Sequence, residues 1–154
     1  MKVLKIVIFG LWLIAAGAAS ASNSRLVFSP VAGVDAVVEM KGKDLKWKTD
    51  RHGLILQGDV SIDTEKVIHF AVDSYDFSGR KGFSVWYLDD GMGTFTIHRV
   101  FTFSRLNNGF VERFPRCGDE FLNLRIDRQK RHLISTYFAH NVPRSCVTRL
   151  VIEK

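Results

Sequence analysis

The 154-residue chain predicts an all-β fold. The expectation is a single domain of about eight to ten short antiparallel strands, built as a sandwich, a barrel or a propeller-like sheet stack. Three observations carry it. Apolar and β-branched residues recur with period two in almost every patterned segment, turn-forming Gly, Asn and Asp fall between those segments, and no long run shows helical spacing with caps.

The first residues stand apart from this pattern. Lys2 and Lys5 form a positive n-region, Ile6 to Ala16 is an apolar h-region, and Ala19-Ser20-Ala21 is a small-residue cleavage motif. That arrangement reads as a secretory signal peptide over residues 1–21, leaving one domain over 22–154. No cysteine lies near the cleavage motif to carry a lipid, and no later apolar run reaches membrane length, so no membrane span is expected after cleavage. In a Gram-negative host the address is the periplasm; elsewhere the protein is secreted.

Strands are then expected in order. Val34 to Met40, Leu54 to Val60 and Lys66 to Asp73 are rich in β-branched and aromatic residues. Phe83 to Leu88 (FSVWYL) follows, closed by the turn Asp89-Asp90-Gly91-Met92-Gly93. From Thr94 to Phe103, Phe95, Ile97, Phe101 and Phe103 share one face, and Thr94, Thr96, His98 and Thr102 the other. Asn107-Asn108-Gly109 predicts a hairpin, because Asn-Gly suits the positive φ angles of a type I′ turn. Leu122, Leu124 and Ile126 alternate with Asn123, Arg125 and Asp127. Strands at Leu133 to Phe138 and Ser145 to Ile152 complete the set, joined through turns at Asp127 to Arg131 and His140 to Arg144.

Charge is unevenly distributed. The leader carries two lysines and no acid, which leaves +4 of the full +6 on the remainder. Residues 105–154 hold ten Lys/Arg against five Asp/Glu, whereas residues 22–104 are nearly balanced. Such a surplus draws an anionic or acidic partner. Export removes nucleic acid from consideration. Both cysteines, Cys117 and Cys146, fall in the exported part, where an even count predicts a disulfide. Closing a loop of about 30 residues stabilises the fold by roughly 3.5 kcal/mol in the chain-entropy picture.

Catalytic signatures do not assemble. The chain has no G-x-S-x-G elbow, H-E-x-x-H helix or Walker loop, and its five histidines (His52, His69, His98, His132, His140) are scattered singly. A non-enzymatic role is therefore expected. One segment, Asp73 to Phe83 (DSYDFSGRKGF), resembles calcium loops of the D-x-D-x-D-G-x-x-D type. With Gly79 on the turn glycine, the ligand positions fall on Ser74, Asp76, Ser78 and Gly82, and Asp76 is the one acid among them. The expectation is a retained turn built from Asp73, Asp76, Ser78 and Gly79 without a metal. No cofactor is expected, and calcium is the ion to test.

The order of these segments resembles a group of small exported β-proteins. The decayed acidic turn leads into FSVWYL, then DDGMG, TFTIHRVFTFS, an Asn-Gly turn, FLNLRIDRQKRHLISTYF and a cysteine-bearing last strand. This is similar to immunity proteins that neutralise peptidoglycan-degrading effectors of antibacterial secretion systems. The resemblance spans roughly Lys66 to Ile152. It implies a periplasmic inhibitor that occludes the active-site cleft of a cell-wall hydrolase toxin. The alternative is a non-catalytic envelope protein binding glycan or a partner protein. Muramidases and related glycosidases work with carboxylates in an open groove, which a basic hairpin could enter. Exposed turns on a rigid scaffold are natural contact points. The candidate partner-binding residues are therefore Asp89, Asp90 and Gly91; Arg128, Lys130 and Arg131; and Arg144, the last on a turn that Pro143 would stiffen.

Overall fold

The computed structural model describes residues 25–91 and 94–151. The expected leader, residues 1–21, lies outside the described residues, as do Met92, Gly93 and Ile152. Among the described residues the fold is all-β and contains no helix. Eleven strands appear, one more than the upper expectation: β1 (Arg25–Val31), β2 (Val34–Lys41), β3 (Asp44–Arg51), β4 (Leu54–Ser61), β5 (His69–Asp73), β6 (Gly82–Leu88), β7 (Thr96–Ser104), β8 (Gly109–Arg113), β9 (Phe121–Asp127), β10 (His132–Ala139) and β11 (Val142–Thr148).

β1, β3 and β8 are the strands that periodicity did not pick out, β8 being marked only by the turn before it. Charged residues dominate β3, yet Leu45 and Thr49 are fully buried while Lys46 and Lys48 between them are exposed, so the alternation is that of a strand with one wet face. β1 contains Pro30 at an irregularity, where two residues of β1 oppose one of β2. Pro30 has no N–H to offer the ladder, and a bulge on an edge strand tolerates this. Its carbonyl instead accepts a 2.9 Å bond from the Lys81 N–H. That bond ties the first sheet to the loop preceding β6.

Strands β1-β2-β3-β4 form an antiparallel meander. The second sheet runs β11-β10-β9-β7-β6-β5, with β8 also paired to β7, and curls into a half-barrel. Val34, Ala36, Val38 and Leu45 of the meander pack on Phe83, Val85, Tyr87, Phe101, Phe103 and Phe110 of the second sheet. Phe83 and Phe101 stack at 4.6 Å, and Phe110 meets Phe83 edge-on at 4.9 Å. The Trp47 indole lies against Gly58 and Gly109, where any Cβ would collide with the ring. Those two glycines let an indole occupy the junction between the sheets.

β7 organises the second sheet. Its far half, Val100 to Ser104, pairs with β8, while Ile97 and His98 pair with β9. The face expected to hold Ile97, Phe101 and Phe103 does face the main core. The opposite face is also buried: Val100 packs with Tyr75, Phe121 and Leu133 in a second cluster beneath the curled strands.

Three local expectations are corrected. The link between β7 and β8 is a four-residue loop, Arg105 to Asn108. Asn108 has φ 49°, but Gly109 is already paired with Ser104 in the strand, so no two-residue Asn-Gly turn forms. In β9, Leu122 does not share the inward face of Leu124 and Ile126. Two residues of β9 oppose Ser135 alone, and Asn123 adopts φ 50°. The extra residue switches the alternation, so Phe121, Leu124 and Ile126 point into the second cluster together.

The last hairpin is tighter than expected. His140 and Asn141, at φ 51° and 62°, form the whole turn. Val142, Pro143 and Arg144 belong to β11, so Pro143 does not stiffen a turn. A two-residue turn makes Ala139–Val142 a hydrogen-bonded pair, so the backbone groups of residues 143, 145 and 147 point away from β10. Pro143 is tolerated because its missing N–H falls on the outer side of an edge strand.

Candidate partner-binding surface

Cys117 and Cys146 form a disulfide, with Cα atoms 5.9 Å apart. Cys117 lies on the crossover from β8 to β9, and Cys146 on the edge strand β11. Next to the bond, the Arg116 N–H donates to Thr148 Oγ1 at 2.9 Å. The half-barrel is thus clamped where β8 and β9 diverge from β7.

The loop between β5 and β6 contains the residues of the calcium-like motif. Asp76 is buried, and Arg80, equally buried, donates from Nη2 to Asp76 Oδ2 at 3.0 Å. Asp76 Oδ1 accepts from the Ser78 hydroxyl at 2.7 Å and from its N–H at 3.1 Å. The Ser74 hydroxyl accepts the Gly79 N–H at 3.0 Å, and Gly79 takes φ 84°. The expected turn is present, and both oxygens of its one central carboxylate already meet donors. An internal guanidinium supplies the positive charge that a calcium ion would bring, so this donor set does not fit calcium. Asp73, at the end of β5, is instead ion-paired with Arg128.

That pair shows where the basic turn lies. Arg128 reaches Asp73, and Arg131 Nη2 donates to the Phe77 carbonyl at 2.8 Å. The Lys130 N–H is capped by Asp127 Oδ1 at 2.9 Å, and its side chain is exposed at the apex. Residues 128–131 and 73–79, far apart in sequence, therefore form one surface. Phe77 holds φ 58° there, an unusual conformation for an aromatic residue, and packs on the second cluster. Beneath them the buried Tyr75 hydroxyl bonds to Ser84 Oγ at 2.7 Å, and burial pushes its phenol up to about 12.

The acidic turn is held differently. Asp89 closes its own loop: its N–H donates to the Phe95 carbonyl, and its Oδ1 accepts the Phe95 N–H, both at 3.0 Å. Asp90 Oδ1 accepts from the Thr64 hydroxyl at 3.0 Å, and Gly91 is exposed. Phe95 then meets Phe138 edge-on at 5.2 Å, which places this loop against the β10–β11 hairpin. Arg144, opposite Tyr137 in that hairpin, is exposed. Two of the three predicted patches, Asp89 to Gly91 and Arg144, thus lie toward one end of the half-barrel. The Arg128 to Arg131 turn lies toward the other, roughly 20 Å along β10 at the usual rise of a strand.

One further group stands out on the second sheet. His69, Trp86 and His98 occupy one cross-strand row, with ring centroids 4.1 and 6.0 Å apart. Burial lowers His98 to about 4, and its Nε2 lies 3.1 Å from the Thr96 hydroxyl. The row packs one strand on the next, and no group of three or more potential metal ligands occurs among the described residues. The Arg128 to Arg131 turn is an exposed hairpin end, whereas Arg144 lies in β11, and the attachment of that turn to the 73–79 loop is invisible to local pattern because it rests on contacts more than fifty positions apart.

Comparisons with protein-family models, with curated proteins and with solved structures found no match to this chain.

Proposed function

We propose that this is an exported binding protein that acts as an immunity protein, inhibiting a peptidoglycan-hydrolase toxin by occluding its active-site cleft. The observation that carries the reading is the pre-organised basic turn. Arg128 and Arg131 are held by Asp73 and Phe77, and Lys130 projects at the apex. A contact loop already held in shape loses little ordering entropy on binding. Cationic side chains on it complement the carboxylates lining a glycosidase groove. The Asp89 to Gly91 loop and Arg144 do not share this surface, so the turn at Arg128 to Arg131 is the part assigned to the cleft.

The test is protection. The full chain is expressed in a Gram-negative strain challenged with periplasm-directed muramidases, amidases and endopeptidases, and lysis is followed. At least one hydrolase should be neutralised, and purified protein should inhibit it at near-stoichiometric concentration. Lys130→Glu should weaken that inhibition at least tenfold without moving the melting temperature by more than a few degrees. Absence of protection across the panel, or inhibition indifferent to Lys130→Glu, would overturn the reading.

A further inference from the structure

A groove of about 760 Å³ runs along the seam where the end of β8 faces the end of β11. Phe114 and Val147 are exposed on its two walls, 61% and 45% accessible, and Val151 is more exposed still. Arg116 and Arg149, both exposed, stand among these apolar side chains, with Arg113 and His132 alongside. Among the described residues of the lining the one acid, Glu112, is held by Arg99 in a two-pronged pair at 2.6 and 2.8 Å. The groove is therefore positive and apolar together. His132 directly follows the basic turn, so groove and turn adjoin. Between them they hold six of the ten Lys/Arg in residues 105–154.

The two walls are also fixed relative to each other. Arg116 precedes Cys117, Val147 follows Cys146, and the disulfide with the Arg116–Thr148 bond spans the seam. On β11, the backbone groups of Ser145 and Val147 point away from β10, along the free side of the strand. We infer that this groove binds an extended segment of a protein partner in which acidic residues alternate with apolar ones. Arginines pair carboxylates with two parallel bonds, the apolar walls take the intervening side chains, and an edge strand favours an extended backbone. This inference rests on reading the chain as a protein-binding module, and it names the chemistry of the partner.

The probe is a fluorescein-labelled heptapeptide, Glu-Val-Glu-Phe-Glu-Val-Glu, titrated with the full exported protein and read by anisotropy. Saturable binding is expected, weakening severalfold between low and high salt. The counterpart with lysine for every glutamate should not bind. Arg116→Glu with Arg149→Glu should weaken binding at least tenfold, and Phe114→Ser, a single change at an exposed site, should weaken it several-fold. Lys46→Glu with Lys48→Glu, on the outer face of the meander, should leave it unchanged. No saturable binding, equal binding of the lysine peptide, or equal loss from the meander reversal would overturn the assignment. The titration involves no hydrolase. Peptide binding without inhibition therefore counts against the toxin reading alone, and inhibition without peptide binding counts against the groove alone.

Discussion

Arg80 and Asp76 make the clearest local statement in this protein. Two opposite charges, both buried, meet at 3.0 Å inside a loop whose pattern otherwise suggests a metal site. Removing one partner strands the other charge in a poorly solvated place, which costs about 3–5 kcal/mol in comparable buried pairs. Asp76→Asn and Arg80→Met should each lower stability by that order in denaturant unfolding. The double change should recover part of the loss, because no charge is then left unpaired. Millimolar calcium should move the melting temperature of the unaltered protein by less than about 2 °C, since a ligand that does not bind the native state cannot stabilise it. His98 makes a second statement. Its native pKa, about 4, lies below the ordinary 6.5, so the unfolded chain takes up the proton more readily. Its contribution to stability is complete above about pH 6.5 and declines as pH falls toward 4. His98→Gln should flatten that part of a melting-temperature profile measured from pH 7.5 to 4; an unchanged slope would assign the acid sensitivity to carboxylates instead.

β9 shows how one extra residue can set the side on which a strand is buried. Asn123 takes a left-handed conformation, and its Oδ1 accepts the Thr96 N–H at 3.0 Å, capping the start of β7. Asn123→Gly keeps the backbone conformation and loses the bond, an expected cost of about 1 kcal/mol. Asn123→Val loses both and should cost more, because a β-branched residue resists positive φ. Deleting Asn123 should remove the bulge and the bond to Thr96 but place Leu124 opposite Ser135, leaving Phe121, Leu124 and Ile126 alternating onto the same inward face, so the second cluster should stay filled. The β9–β10 turn behaves differently. Its Arg128–Asp73 pair is largely exposed on the arginine side, so Arg128→Ala should cost under about 1 kcal/mol of stability. Any loss of inhibition by Arg128→Ala would then report contact or orientation of the turn, not unfolding.

The disulfide joins parts of the molecule that the sheets alone leave loosely connected. β8 and β9 leave the same edge of β7, and the crossover between them is anchored to the far edge strand through Cys117 and Cys146. Thiol titration under denaturing conditions should find no free thiol in exported protein, and two per chain would refute the bond. Cys117→Ser should lower global stability by about 2–5 kcal/mol. It should also loosen the seam between β8 and β11, so amides near Arg116 and Thr148 should exchange faster than those of the Phe83–Phe101 core. The meander depends on the other core and should retain its protection longer.

Much of this was readable along the chain, and the reason is local. Period two, turn residues and cysteine parity are properties of neighbouring positions or of counts, so the all-β class, the strands at Val34, Leu54 and Thr94, and the Cys117–Cys146 bond follow from them directly. The same holds for the turn around Gly79, where a single backbone requirement marks the position. What local patterns do not contain is pairing at a distance. Asp73 with Arg128, Phe77 with Arg131 and Phe95 with Phe138 meet because the second sheet curls, and the inward face of β9 is set by a bulge at Asn123 that reads as ordinary alternation. Pro143 looks like a turn residue until the register of β11 places it on the open edge. Arg116 and Arg149 become neighbours across one groove when the disulfide closes the seam. Side-chain identity and spacing determine which segments can be strands; the curl, register and covalent closure determine which of their charged ends share a surface, because those depend on how all the strands pack at once.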